Sequence, residues 1–532
     1  MPKSTPWIKL LLGVFILAGC SAKSGEQPAR IRAFLEDVRI NGRSVGSGSE
    51  LGDVPLDEIE LRLFFNKEAS LSETGTVTME QVPLEFSYGV NSSEVIVKPS
   101  APLSPFTSYT FRLPEGDVFG FSLQDSFRCK ITTVYDSSDK FPRVSDEDLL
   151  TLVQAQTFKY FWDYGHPVSG LARERYGSDD TVTSGGSGFG IMAIPVGIER
   201  GLITREEGAE RMRTIIGFLE KADRFHGAYS HWLNGRTGKV IPFSSNDNGG
   251  DLVETAFLMQ GLLTASAYFD REGEADIRSG IDAIWRGVEW DWYTRGGQNV
   301  LYWHWSPSVD WAMNMPIRGW NEGLIVYVLA ASSPTHPVSA DVFRQGWGTF
   351  KFPVAKNQPL FFAHYSFLGL DPRNLSDSNG SYWEQNVTQA RYNYDYCVRN
   401  PGKHAGYSAH SWGLTASDYP KGYTASSPAN DRGTIAPTAA LASMPYTPEE
   451  SLRALRQFYY VYGDRLWGTY GFKDAFCLDS AWFASSYIAI DQGPIIVMIE
   501  NYRSQLLWNL FMKNACIRAG LDALGFSYEA IG

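Results

Sequence analysis

Three runs of this 532-residue chain place carboxyl groups directly ahead of strongly apolar stretches. The first is Ser244-Ser245-Asn246-Asp247-Asn248-Gly249-Gly250-Asp251-Leu252-Val253-Glu254-Thr255. Asp251 and Glu254 have the D-x-x-E spacing of a helix capping box, which accounts for Asp251 without any chemistry. It does not account for Asp247, four residues earlier in a loop. At the start of a helix that opens onto a cavity, Asp247, Asp251 and Glu254 could converge. The second run is Asn314-Met315-Pro316-Ile317-Arg318-Gly319-Trp320-Asn321-Glu322-Gly323, with Tyr302-Trp303-His304-Trp305-Ser306-Pro307 upstream. Glu322 could simply be a first-turn acid favoured by the helix dipole. With Trp320, Arg318 and Asn321 beside it, and His304 and Trp305 nearby, the set also suits sugar chemistry. An indole stacks on a sugar face, polar groups fix hydroxyls, and an acid protonates a glycosidic oxygen. The third run, Asp491-Gln492-Gly493-Pro494, precedes Ile495-Ile496-Val497-Met498-Ile499-Glu500. Glycoside hydrolysis generally needs two carboxyl groups. Asp479, Asp431, Glu174, Asp179 and Asp180 are weaker candidates.

Other chemistries find little support. There is no H-E-x-x-H, no paired-cysteine motif, and no G-x-S-x-G in a strand–turn–helix setting. The run Gly185-Gly186-Ser187-Gly188-Phe189-Gly190 lacks the Lys-Ser/Thr of a phosphate loop and suits tight packing at a helix start. The histidines, His304, His404 and His410 among them, lie far apart in sequence, so no metal or cofactor is expected. A net charge of −12 argues against nucleic acid. Aromatic residues make up 14%, with 16 Trp and 27 Tyr, which fits sugar stacking as well as packing between helices. Cys129, Cys397, Cys477 and Cys516 are too widely spaced for a zinc site or a disulfide scaffold, and a Cys397–Cys477 bridge stays open.

These residues need elements to hold them, and the chain divides by pattern. Residues 1–19 read as a lipoprotein signal peptide: Lys3 and Lys9, an apolar stretch, then Leu17-Ala18-Gly19-Cys20. Cys20 would carry the lipid, with 20–30 as tether. The protein would then sit at a bacterial membrane, the outer one expected, facing periplasm or cell surface, held by its lipid alone. Residues 31–134 alternate apolar and polar, as in Ile59-Glu60-Leu61-Arg62-Leu63-Phe64, with turn signals such as Asn41-Gly42. About seven short strands predict a small all-β, Ig-like sandwich acting as a spacer. Residues 135–145 read as a linker. From 146 to 532 the period is helical, starting at Ser145 with Asp146, Glu147 and Asp148 behind it. About a dozen helices are expected, including 187–200, 251–269, 320–332 and 492–512. The fold class is therefore mainly α: two concentric rings of six, an (α/α)6 barrel, after the β domain. Helices apolar all round, such as those holding Leu258–Leu263 and Leu324–Leu329, would form the inner ring.

The glycine run at 185–190, Asp247–Phe257, Arg318-Gly319-Trp320-Asn321-Glu322 and Asp491-Gln492-Gly493-Pro494 together resemble the bacterial endo-β-1,2-glucanase family, also labelled glycoamylase-like. The resemblance spans roughly residues 146–528. It implies an (α/α)6 barrel and an inverting, metal-independent hydrolase of β-1,2-linked glucan. It marks Asp247, Glu254 and Glu322 as functionally important acids. Within that frame Glu322 is assigned as general acid and Asp491 as base, acting on water directly or through a relay, with Asp247 the runner-up. Trp320, Arg318, Asn321, His304, Trp305 and Asp251 would bind substrate. The expected partner is a glucan polysaccharide or oligosaccharide, and the expected state a monomer. The alternatives are a non-catalytic surface glycan-binding lipoprotein and a polysaccharide lyase on a similar barrel.

Overall fold

The structure is a computed structural model that describes residues 30–354 and 356–529; the signal peptide and Cys20 lie outside them. Two compact units are present, residues 30–104 with 109–131, and residues 105–108 with 132–529.

The first unit is all β. Its larger sheet is antiparallel and centres on Leu61–Phe65, flanked by Leu35–Ile40 and Glu94–Pro99. Val38 pairs with Leu63, and Leu63 with Val95, so the alternating apolar residues share one face. A second sheet contains Ser108–Leu113 and Phe127–Thr133. Both bury Leu61, Leu63, Val97, Phe111 and Ile131 in a common core. Asn41 (φ 47°) and Gly42 (φ 80°) close the first hairpin, the pair of positive dihedrals a two-residue turn demands. Turns and a bulge between Leu35 and Asp37 divide this region into 12 strand segments rather than about seven.

The second unit is mainly helical. Ser145 caps the helix Asp146–Trp162 by accepting from Asp148 N at 3.1 Å. Five helices are buried on nearly all sides: Ser184–Glu199, Leu252–Tyr268, Leu324–Ser332, Pro437–Leu441 and Ala489–Ser504. They are neighbours in the order Pro437–Leu441, Ala489–Ser504, Ser184–Glu199, Leu252–Tyr268, Leu324–Ser332. Amphipathic helices such as Arg205–Leu219 and Ala275–Arg286 pack outside them. The glycine run lies inside the Ser184–Glu199 helix rather than ahead of it, and its purpose is close approach. A Cβ on Gly188 would stand 2.1 Å from Phe257 O, and one on Gly261 2.1 Å from Gly188 O.

Among the described residues there are 14 α-helical segments. The expected 492–512 helix is two, because Gln505 takes a positive φ and breaks it. Gly463–Leu466 adds a single turn. Cys397 and Cys477 are buried free thiols, so the bridge left open by the sequence does not form. No helix of the described residues is long and apolar enough to cross a membrane.

Candidate active site

Two groups of acids assemble on the starts of the buried helices. The first is built on the two-residue strand Gly250–Asp251, which pairs with His304–Trp305 and sets Asp251 opposite His304. Asp251 is the N-cap of Leu252–Tyr268: its Oδ1 accepts from Val253 N (3.0 Å) and Glu254 N (2.9 Å). Its Oδ2 lies 3.4 Å from His231 Nδ1 and 3.5 Å from His304 Nε2. Asp247 Oδ2 is also 3.5 Å from His304 Nε2. The capping box is only half made. Glu254 turns away from the cap and accepts from Gly185 N at 2.8 Å, at the start of the neighbouring helix. That position favours a carboxylate because the first N–H groups of a helix lack internal partners.

The charges in this group set one another. Burial alone would raise Asp251, but its bonds to His231 and His304 overcome that and hold it well below the usual carboxylate range. Asp247 and Glu254 are raised, chiefly by burial, with the Asp251 charge adding to it. Burial opposes charge on His231, yet Glu254 and Asp251 push its imidazole up to about 9. His304 is raised in the same way by Asp251 and Asp247. Ligand atoms of His231, Asp247 and Asp251 lie within 4.8 Å of one another, a spacing that could hold a cation. The two raised imidazoles can supply the same positive charge.

Glu322 stands beside this group. The helix it was expected to begin starts at Leu324 with Gly323 as N-cap, so Glu322 sits in the preceding turn, its carbonyl held by Ser366 Oγ at 2.5 Å. Burial is the main cause that lifts its carboxyl to about 7; its own backbone N–H opposes, and the charges of Glu254 and Asp251 assist. It is therefore half protonated near neutrality, as a general acid should be.

The second group is Asp491, Asp474 and Asp418. Asp491 lies within the first turn of Ala489–Ser504, whose start is three residues earlier than the sequence suggested. Asp474 Oδ2 accepts from Asp418 N at 2.6 Å. Asp418 is held by Arg175 Nη1, 3.2 Å from both oxygens, and by Ser486 Oγ at 2.5 Å. Asp491 is raised well above its ordinary value by burial and by Asp474; Asp474 is raised to about 7 by burial and by Asp418. An open cavity of ≈ 390 Å³ borders this group at Arg175, Tyr176, Asp418, Trp482 and Ser486. Tyr423, on the hairpin Ala416–Tyr419/Gly422–Ala425, is 48% exposed and still senses Asp491, Asp474 and Asp418. Tyr365 ties the groups together. Its hydroxyl is raised chiefly by burial, then by Asp491, Tyr423, Glu322 and Glu254, so it feels charges from both sets of acids.

The other residues singled out by the sequence go elsewhere. Trp320 is 9% exposed, donates from Nε1 to Gln389 Oε1 (2.7 Å) and packs against Trp347, Phe352 and Phe367. It is core, not a sugar platform. Arg318 donates to Gln345 O, and Asn321 spends its amide on Arg318 O and Gly323 N. Asn321 closes a local turn, while Arg318 is exposed. Strand alternation turns Trp305 away from His304, toward His226 and Trp292. Asp479 and Asp431 grip His404 in a separate cluster, Asp180 pairs with His166, and Glu174 pairs with Arg175. Sequence reasoning missed His231, Asp474, Asp418 and Arg175. Only the spacing of single polar residues beside short strands marks them, a signal too common to act on.

A sequence model of the family described as "Putative glucoamylase" matches residues 314–515. An exo β-1,2-glucooligosaccharide sophorohydrolase (non-reducing end) of Parabacteroides distasonis is 46% identical over 73% of this chain; the chain spans 59% of that curated relative's length. An endo-β-1,2-glucanase from Chitinophaga pinensis, solved with sophorotriose and glucose, is 50% identical with a TM-score of 0.71, over 73% of this chain and 100% of its own. A β-1,2-glucanase structure from Parabacteroides distasonis is 38% identical with a TM-score of 0.70, over 92% of this chain and 73% of its own.

Proposed function

Because the chain belongs to the glycoamylase-like family, we propose that it is a glycoside hydrolase that cleaves β-1,2-linked glucan or its oligosaccharides with inversion. The observation that carries the reading is the set of buried acids at the starts of two buried helices, Asp251 and Glu254 on Leu252–Tyr268 and Asp491 on Ala489–Ser504, with Glu322 and its raised carboxyl beside the first. Glu322 is the general acid: it delivers its proton to the glycosidic oxygen as the C–O bond breaks. Asp491 is the base: it takes the proton of the water that attacks the anomeric carbon from the opposite face. Inversion needs the two carboxyls about 6.5–9.5 Å apart, with room for that water. Asp251, His231 and His304 form a charged floor, and burial together with the charges of Glu254 and Asp251 keeps Glu322 protonated.

The arrangement of buried helices supports an (α/α)6 barrel. Five follow one another as neighbours, and the 3-10 turn at Tyr365–Phe367, itself next to Leu360–Ala363, adjoins Leu324–Ser332 where a sixth member would stand. The all-β unit is taken as the Ig-like spacer, and Leu17-Ala18-Gly19-Cys20 as the lipidation signal that anchors the chain to a bacterial membrane, the outer one. A Cys20→Ala variant should lose its acyl label and leave the membrane fraction.

The test is incubation with β-1,2-glucan, chromatography of the products and NMR of the first anomer released. Short β-1,2-oligosaccharides of inverted configuration are expected. Binding without release of oligosaccharides would overturn the hydrolase. A product absorbing in the ultraviolet would point to a lyase, and a retained anomer would replace the base with a nucleophile.

A further inference from the structure

The cavity that Arg175, Tyr176, Asp418, Trp482 and Ser486 border is built from segments far apart in the chain. Glu174, Arg175 and Tyr176 run alongside residues 487–489. Tyr176 N donates to Tyr487 O at 2.9 Å, Arg175 forms a β-bridge with Ile488, and Ala489 N donates to Glu174 O at 2.9 Å. Arg175 and Tyr176 are thereby set against the start of the helix that carries Asp491. A second wall is the hairpin Ala416–Tyr419/Gly422–Ala425. It is fastened at Asp418, whose N–H donates to Asp474 Oδ2 and whose carboxylate accepts from Arg175 Nη1 and Ser486 Oγ. Asp418 pairs directly with Tyr423 across the hairpin, and directly opposed residues send their side chains to the same face. The exposed Tyr423 ring therefore stands on the side from which Asp418 reaches the cavity.

What lines this space is only partly used by the fold. Among the described residues no ring or cation stacks on Trp482 or Tyr423. Arg175 gives its Nε to Glu174 and its Nη1 to Asp418, while its Nη2 donates to no described residue. One guanidinium between two carboxylates leaves the lining negative, so a carboxylate or phosphate ligand would be repelled. A neutral sugar suits both halves: its hydroxyls can accept from Nη2 and donate to Asp418, and its C–H faces can lie on the free rings. The volume of ≈ 390 Å³ falls within the range of about 300–1,000 Å³ usual for small-ligand sites. We propose that this cavity is a subsite for a glucosyl unit of the substrate chain, with Tyr423 and Trp482 as its stacking residues. The glucan as ligand rests on the hydrolase reading. These rings hold a part of the chain that does not react, so their contacts are the same before and during bond cleavage and act on KM rather than kcat.

The full chain carrying Tyr423→Ala, Tyr423→Phe or Trp482→Ala tests this, with kcat and KM measured on β-1,2-glucan. Calorimetry gives the affinity of β-1,2-gluco-oligosaccharides for the wild type and for the same substitutions made together with Glu322→Gln, so that binding is read without turnover. Loss of one stacking face should raise Kd and KM about 2- to 10-fold in each alanine variant, with kcat within about twofold of wild type. Phenylalanine at 423 keeps the ring and should keep wild-type values. Tyr423 is exposed, so its variants decide the matter if Trp482→Ala fails to fold. Wild-type Kd and KM in the alanine variants would overturn the subsite and leave the hydrolase reading intact. Tyr423→Phe behaving like Tyr423→Ala, or kcat falling at unchanged KM, would overturn it as well, because neither is the loss of a ring face that only binds. If the wild type binds the oligosaccharides but releases no products, and the alanine variants lose that binding, the subsite stands and the hydrolase reading falls. If the wild type neither binds nor cleaves them, both fall.

Discussion

Asp251 and Asp491 are both 1% exposed and both lie at the start of an apolar helix, yet their carboxyls move in opposite directions. Asp251 accepts two backbone N–H groups and faces two imidazoles, and it is held well below the ordinary carboxylate range. Asp491 accepts no N–H or hydroxyl and faces another buried acid, and it is raised well above that range. Residue type and burial are the same, so neither decides ionisation. The donors and charges brought to each oxygen decide it. The site thereby gains a fixed anion in one group and a proton store in the other, with Glu322 near the first.

The largest expected effect sharpens that contrast at Glu322. Glu322→Gln should lower kcat by about 10²- to 10⁴-fold, the range of general acid catalysis, with KM little changed. Its protonated form is the active one, so in the wild type the alkaline limb of kcat/KM should fall near the Glu322 value of about 7. Glu254→Gln removes a repelling charge and should move that limb to lower pH. Reducing-end assays across pH measure both, and an alkaline limb indifferent to Glu254 would show that the first group does not tune the acid.

A smaller effect is expected at Gly185. A Cβ there would stand 2.4 Å from Glu254 Oε2, so Gly185→Ala must displace the carboxyl from the helix start. Overpacking of this kind costs about 1–3 kcal/mol. Turnover should drop along with the melting temperature, and calorimetry beside kinetics will show whether activity falls further than stability does.

Removing the unpaired acid should stabilise the fold. Because Asp491 is raised in the folded state, ionisation works against folding as pH climbs above the unfolded carboxylate value of about 3.9. Asp491→Asn removes that penalty. Its melting temperature should match the wild type near pH 4 and exceed it by a few degrees near pH 8, at the expense of turnover. An Asp491→Asn protein less stable than wild type at pH 8 would break the comparison.

The smallest effect is at His231. Its folded value of about 9 lies above the unfolded value of about 6.5, so its contribution is fully present below pH 6.5 and is lost as pH rises through 9. His231→Gln should flatten the fall in melting temperature over that window and leave the curve below pH 6 parallel to wild type. Differential scanning at low ionic strength resolves it.

Whatever depends on neighbours in sequence was legible before any coordinates. The Asp251 cap, the Asn41-Gly42 turn, the Ser145 helix start and the apolar helices behind each acid run all follow from local spacing and local dihedral preference. The same local reading grouped Trp320 with Glu322, yet proximity in the chain says nothing about which way a side chain turns, and Trp320 packs into the core. The D-x-x-E spacing offered Glu254 a place in a capping box as well as in a site, and a helix from another part of the chain decided it by offering its Gly185 N–H. It could not bring His231 and His304 to Asp251, or Asp474 and Asp418 to Asp491, since those residues belong to separate strands, loops and helices. The sequence alone determined which carboxyls would stand at helix starts. The tertiary structure decided which of them are ionised, because a charge in a dry site is set by the donors and counter-charges that distant segments bring within a few ångströms.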